Sequence, residues 1–206
     1  MKKRMVISML FVMAGVLSVV AQDALSVIRK HYSEAQQKVS EFTKAEEKAS
    51  TVFPEYYEVN VVQNLPGTGP HHERMRMYFF VEDNEDWQPD EPMLTRSLQF
   101  VTYKYNYAAR EFYEEYLYDK KGNIEFAYIR DADMEDSNGG EFRLYFSNGK
   151  LFKVLVNTRN PETDEYVQTY SGATMPEKYS RSYDYYRNRI ERNKRMFTEI
   201  DNDTFH

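Results

Sequence analysis

Cysteine is absent from the 206-residue chain. That excludes disulfides, thiol nucleophiles and thiolate metal sites. Tryptophan occurs once, as Trp87, and histidine four times. There is no His-Glu-x-x-His, no Gly-x-Ser-x-Gly and no phosphate-cradling glycine loop, so no motif points to a zinc peptidase, a nucleophile-elbow hydrolase or a nucleotide site. A Ser-His-Asp arrangement or a pair of catalytic carboxylates can still be assembled from distant residues, and spacing does not report on that.

Only one long uncharged apolar run exists, Met5 to Val20. It follows Lys2-Lys3-Arg4 and ends in Val19-Val20-Ala21, the layout of a secretory signal with small or compact residues before the cut. A membrane span needs about 20 apolar residues, and this run is shorter. The expectation is a signal peptide over 1–21, cleavage after Ala21, and a single domain over 22–206 with no integral membrane segment, in the periplasm or outside the cell. With no cysteine at the cleavage point, a lipid anchor on that residue is excluded. A mature chain of 185 residues, the full 206 less 21, is long enough to bury a core.

Positive charge is in deficit: 27 Lys and Arg against 33 Asp and Glu. Removing Lys2, Lys3 and Arg4 leaves 24 against 33, a net of −9. Such a surface repels phosphate backbones, so nucleic acid is not an expected partner. The acids are expected to be wetted surface.

What the chain has in abundance is tyrosine (18) and phenylalanine (13), residues suited to half-buried sheet faces. Asp23 to Ala49 predicts a long helix, with Asp23 as its N-cap and Leu25, Ile28, Tyr32, Ala35, Val39, Phe42 and Ala49 at three- and four-residue steps. The stripe is close to a heptad, but packing on the protein's own sheet is the expectation. The period then changes to two. Strands are predicted at Tyr56–Val62, Arg74–Glu82, Ser97–Tyr107, Glu111–Tyr118, Ile124–Ile129, Glu141–Phe146 and Leu151–Asn157, with a short one near Tyr166–Tyr170. Between the first two, "QNLPGTGPHH" reads as a loop, and Glu82–Pro92 as another. Gly122 and Asn148-Gly149 mark tight hairpins. After Pro176 a helix returns, with Tyr179, Tyr183, Tyr186, Ile190 and Phe197 on one stripe. The sum is α+β: an N-terminal helix, a six- to eight-stranded antiparallel meander, and a C-terminal helix, the helices covering one sheet face.

Four stretches invite a functional reading. "RDADMEDSNGGEF" places Asp131, Asp133 and Glu135 at alternate positions, as calcium loops do, but Asp136 stands where glycine should be and Phe142 where the closing glutamate should be. A solvated hairpin loop is the expectation; no metal or other cofactor is expected. His71-His72-Glu73 reads as a solvated loop pair, since neighbours in a strand point to opposite faces. The C-terminal helix carries Lys178, Arg181, Arg187, Arg189, Arg192, Lys194 and Arg195, expected to lie on the acidic sheet with arginine stems over tyrosine rings. Tyr103, Tyr105, Tyr107, Tyr116 and Tyr118, with Trp87, would form a binding platform for peptide, protein or glycan if one sheet face were left bare.

Two resemblances add to this. "QNLPG", Gln63 to Gly67, resembles the Gln-x-Val-x-Gly hairpin loop of cystatins: Gln63 and Gly67 match and Leu65 replaces the valine, while no second loop with Pro-Trp is evident. It implies blocking of papain-like proteases. The signal ending in Ala-Gln, the missing cysteine and the tyrosine-rich hairpins resemble small exported proteins common in Bacteroidetes, which implies export and no particular activity. The expected function is a non-enzymatic exported binding or interaction protein; the alternative is a hydrolase whose carboxylates converge only in three dimensions. Glu114 and Glu115, on opposite faces of one strand, are not expected to cooperate.

Overall fold

The structure, a computed structural model, describes residues 2–48, 53–85, 93–134 and 138–204, with the side chains of the first helix from Gln22 onward. Trp87, Glu135, Asp136 and the side chains of the segment expected to be a signal peptide lie outside what is described. The first helix, α1 (Lys2–Glu47), is followed by eight strands: β1 (Tyr57–Leu65), β2 (Gly69–Asp83), β3 (Leu94–Tyr107), β4 (Arg110–Tyr118), β5 (Ile124–Asp131), β6 (Gly140–Ser147), β7 (Lys150–Arg159) and β8 (Tyr166–Gly172). A 3-10 turn (Glu177–Tyr179) leads into α2 (Ser180–Thr204). The strands lie in chain order in one antiparallel sheet, so each pairs only with its neighbours in sequence. This is the α+β meander that the period-two pattern and tight turns predict. Asp23 does not cap a helix; α1 runs through it.

Alternation along the strands builds two cores, not one. Met77, Val101, Tyr116, Ala127 and Leu144 face one way and pack with Tyr179, Tyr186, Ile190 and Phe197 of α2 and the turn before it. Their chain neighbours Tyr78, Phe100, Leu117, Phe126 and Tyr145 face the other way and pack with Ile28, Ala35 and Phe42 of α1. The expectation that both helices cover one sheet face is therefore corrected: each helix covers its own face. The reason is visible in the strands. β4 sets Phe112, Tyr116 and Tyr118 on one face and Tyr113 and Leu117 on the other, and a strand with aromatic or apolar side chains on both faces needs cover on both.

Specific contacts set where the helices lie. On the α1 side, Lys38 Nζ donates to the Phe79 carbonyl at 2.7 Å, where a bulge between Tyr78 and Phe79 shifts the β2–β3 register. On the α2 side, the Tyr118 hydroxyl donates to the Ile190 carbonyl (3.1 Å), and the Tyr57 hydroxyl to Asp201 (2.6 Å). The C-terminal segment thus reaches from β6, where Tyr179 meets Phe142, to β1, where Phe197 meets Tyr57.

Turn chemistry fixes the hairpins. Asn148 (φ 49°) and Gly149 (φ 71°) form the two-residue β6–β7 turn with both residues left-handed, which matches the strand twist. Gly122 (φ 75°) serves the β4–β5 turn, which Asp119 braces by accepting from the backbone N–H groups of Lys121 and Asn123. One expectation is corrected here. "QNLPGTGPHH" is mostly strand, since β1 runs to Leu65 and β2 starts at Gly69. Ile124 does not share a face with Phe126 and Tyr128: Tyr118 pairs with Ile124 but Leu117 with Phe126, so the extra residue turns Ile124 toward α2.

Candidate functional site

Glu114 and Glu115 are neighbours on β4, and the pleat sends them to opposite faces. Glu114 is fully buried under α2. It accepts hydrogen bonds from the hydroxyls of Tyr116 (2.6 Å) and Tyr105 (3.0 Å), and Arg189 Nε stands 3.4 Å from its Oε2. Burial pushes the Glu114 carboxyl upward, against the pull of Arg189 and the two hydroxyls. Glu115 is buried under α1, where it accepts from Tyr32 (2.5 Å), Gln36 (2.8 Å) and Tyr113 (2.7 Å). Glu141 is also buried, accepting from Tyr128 and Asn157. The expectation that the acids are wetted surface fails for these three. Each accepts from at least one tyrosine hydroxyl and from a second neutral or cationic neighbour, and those donors replace the water a buried carboxylate loses.

The tyrosine platform divides. Tyr103, Tyr116 and Tyr118 are buried beneath α2, so the bare face such a platform needs does not exist there. Arg189 lies over the rings as the basic helix suggests, 4.4 Å from the centroid of Tyr103 and 5.5 Å from that of Tyr105. Tyr105 is half-buried and Tyr107 is 44% exposed. These two form one wall of a cleft of about 470 Å³, with Phe112 of β4, Tyr185, Tyr186 and Arg181 of α2, and Asp131 and Asp133 at the end of β5.

The walls of this cleft are braced. Tyr105 and Phe112 stack with centroids 4.9 Å apart and planes 5° from parallel. Tyr186 donates its hydroxyl to Asp131 Oδ2 (2.7 Å), and Asp131 Oδ1 accepts the Asp133 N–H (2.8 Å). Asp133 pairs with Arg110. Tyr185 is 49% exposed, accepts a hydrogen bond from Arg189 and stands edge-on to Tyr186. Burial pushes the Tyr105 and Tyr186 hydroxyls well up, so both remain protonated donors. The cleft offers two exposed tyrosines, carboxylate acceptors and the Arg181 guanidinium, groups that bind and orient.

The remaining candidates are placed as follows. Of the calcium set, Asp131 and Asp133 are committed to Tyr186 and Arg110, and Glu135 lies outside the described residues. Among the described residues no three His, Asp or Glu side chains are grouped to hold a metal. His71 is not a solvated loop residue: it is buried on β2, with Nδ1 2.5 Å from the Asn106 carbonyl and Nε2 2.7 Å from Glu73. Residues two apart on a strand share a face, which brings His71 and Glu73 together. Gln63 lies at the end of β1 and Gly67 in the turn to β2, with Thr68 N–H closing on the Leu65 carbonyl. Over the residues whose side chains are described, no helix is long and apolar enough to cross a membrane.

Sequence reasoning missed Tyr185 and the convergence of α2 with the end of β3, and it named Arg181 only as part of the basic helix. The pair Tyr185-Tyr186 was a usable signal, since only one of two adjacent helical tyrosines can enter the core stripe. No protein-family model matches this chain, and no curated protein and no solved structure is significantly similar to it.

Proposed function

We propose that the protein is an exported, non-enzymatic binding protein that holds a glycan in the cleft between the end of β3 and the start of α2. The observation that carries this reading is the pair of exposed rings, Tyr107 and Tyr185, on facing elements of one cleft whose remaining polar groups are carboxylates and an arginine. Sugar rings present apolar C–H faces that stack on aromatic rings and hydroxyls that pair with carboxylates and guanidinium, and a concave site with a few convergent polar groups suits them. Peptides and proteins are the competing ligands.

A glycan array followed by titration of the hits tests the reading. Tyr107→Ala and Tyr185→Ala each weaken binding about tenfold or more, because each removes an apolar ring face on which a sugar stacks. Tyr107 is exposed, so Tyr107→Ala leaves the thermal midpoint nearly unchanged, whereas Tyr185→Ala also removes a hydrogen-bond acceptor of the buried Arg189 and lowers it. No glycan hit, or hits that both substitutions leave unaffected, overturns the proposal. One observation favours a second reading: Asp131 and Asp133 lie on the same cleft wall. If bound oligosaccharide is cleaved, and Asp131→Asn with Asp133→Asn abolishes the release of reducing ends, the protein is a hydrolase.

A further inference from the structure

We propose that the groove on the α1 face is a second binding site, for a small zwitterion that carries both an ammonium and a carboxylate: a free amino acid or a short peptide. The groove encloses about 590 Å³ between α1 and strands β4 to β6, with Phe126 and Tyr145 among its apolar lining. It lies on the opposite sheet face from the tyrosine cleft and does not depend on that reading.

Two features of opposite sign share this groove. The first is Glu115, 4% exposed. Its Oε1 accepts from Gln36 and Tyr113 and its Oε2 from Tyr32 alone. A carboxylate has about four acceptor positions, so one remains on Oε2. All three donors are neutral, and among the described residues no Lys, Arg or His pairs with Glu115. A buried carboxylate without a cation is costly. A ligand ammonium entering the groove supplies that charge.

The second feature is a pair of arginines in the lining, Arg29 of α1 and Arg143 of β6. Among the described residues Arg29 has no ion pair or hydrogen bond, and Arg143, 42% exposed, has one ion pair, with Glu141 at 3.5 Å. A guanidinium fork fits a carboxylate with two parallel hydrogen bonds. A purely anionic ligand would face Glu115, and a purely cationic one would face both arginines. A molecule with one charge of each sign satisfies both ends.

Calorimetric titration with L-phenylalanine, the dipeptide Ala-Phe, its N-acetyl form and its C-terminal amide tests the proposal on the purified protein. At least one of the first two binds saturably, and each blocked form binds about tenfold more weakly or worse, the loss expected for a charge-assisted hydrogen bond. Glu115→Gln removes the preference for the free amine, and Arg143→Gln removes the preference for the free carboxylate. Tyr107→Ala, in the other cleft, leaves all four titrations unchanged. If Glu115→Gln fails to fold, as a thermal melt will show, Arg143→Gln and the blocked ligands still decide. No saturable heat with either free ligand at millimolar concentration, equal binding of free and blocked forms, or loss of binding in Tyr107→Ala overturns the proposal.

Discussion

Arg189 of α2 and Glu114 of β4 meet inside the protein, Nε 3.4 Å from Oε2, and neither reaches solvent appreciably. The pair sits where α2 crosses the middle of the sheet, with Tyr105 and Tyr116 donating to the carboxylate and Tyr103, Tyr105 and Tyr185 around the guanidinium. Two buried charges that neutralise each other cost little more than an apolar pair. One left alone costs much more.

Breaking that pair therefore destabilises the fold asymmetrically. Arg189→Met strands a buried carboxylate and lowers unfolding free energy by about 3 kcal/mol, read from urea denaturation. Adding Glu114→Leu recovers most of that loss, because the double variant buries no lone charge. A double variant no more stable than Arg189→Met would show that the side chains act through packing alone.

His71 gives the protein a loss of stability toward alkaline pH. Its Nε2 lies 2.7 Å from the Glu73 carboxylate and its Nδ1 2.5 Å from the Asn106 carbonyl, two oxygen acceptors that favour the doubly protonated, charged ring. The hydrogen bond to Glu73, chiefly, raises its pKa above the ordinary 6.5, against burial. A raised folded-state value means that the contribution is complete below about 6.5 and is lost as pH rises through that higher value. His71→Gln should flatten the stability profile above that pH and leave the acid side unchanged, as urea midpoints from pH 6 to 9 would record.

Glu58 acts at the other end. Burial opposes its ionisation, but hydrogen bonds from Asn60, Arg76 and Arg74 hold its carboxyl down at about 2. Its contribution is present above the ordinary 4.5 and disappears as pH falls toward 2. Glu58→Gln reduces the loss of stability between pH 4.5 and 2 in acid titrations followed by circular dichroism. An unchanged acid limb would mean that solvent screens the Arg74 and Arg76 contacts.

Gly149 tests the turn. Its φ is 71°, and a Cβ there would meet nothing within 4 Å, so substitution costs only backbone conformation. Gly149→Ala lowers stability by about 1 kcal/mol in denaturant titrations, from the left-handed strain of an L residue.

Export with cleavage after Ala21, the expectation from the first 21 residues, has a direct readout. Mass spectrometry of protein recovered from outside the cytoplasm should find Gln22 as the first residue. An intact Met1 terminus in that fraction would contradict cleavage.

Much of this architecture was legible along the chain. Asn148-Gly149 announced a hairpin because few other residues accept two left-handed conformations in a row. The series Ile28, Ala35, Phe42 announced a helix with one buried face, and Phe142, Leu144, Phe146 a strand with the same. Other places were silent. The β3–β4 turn carries Ala108 at φ 52° where no glycine or asparagine marks it. The β1–β2 turn is shorter than its prolines and glycines suggest.

The helix–meander–helix order is a local matter, because period and turn chemistry act over a few residues and need no partner from elsewhere. Which face each helix covers depends on packing between distant segments, and with it come the burial of Glu114, Glu115 and Glu141 and the cleft that Tyr105 and Tyr107 share with Tyr185. The alternation of a strand separates two faces without saying which neighbour will cover either. A carboxylate looks the same in sequence whether water or a tyrosine hydroxyl will solvate it.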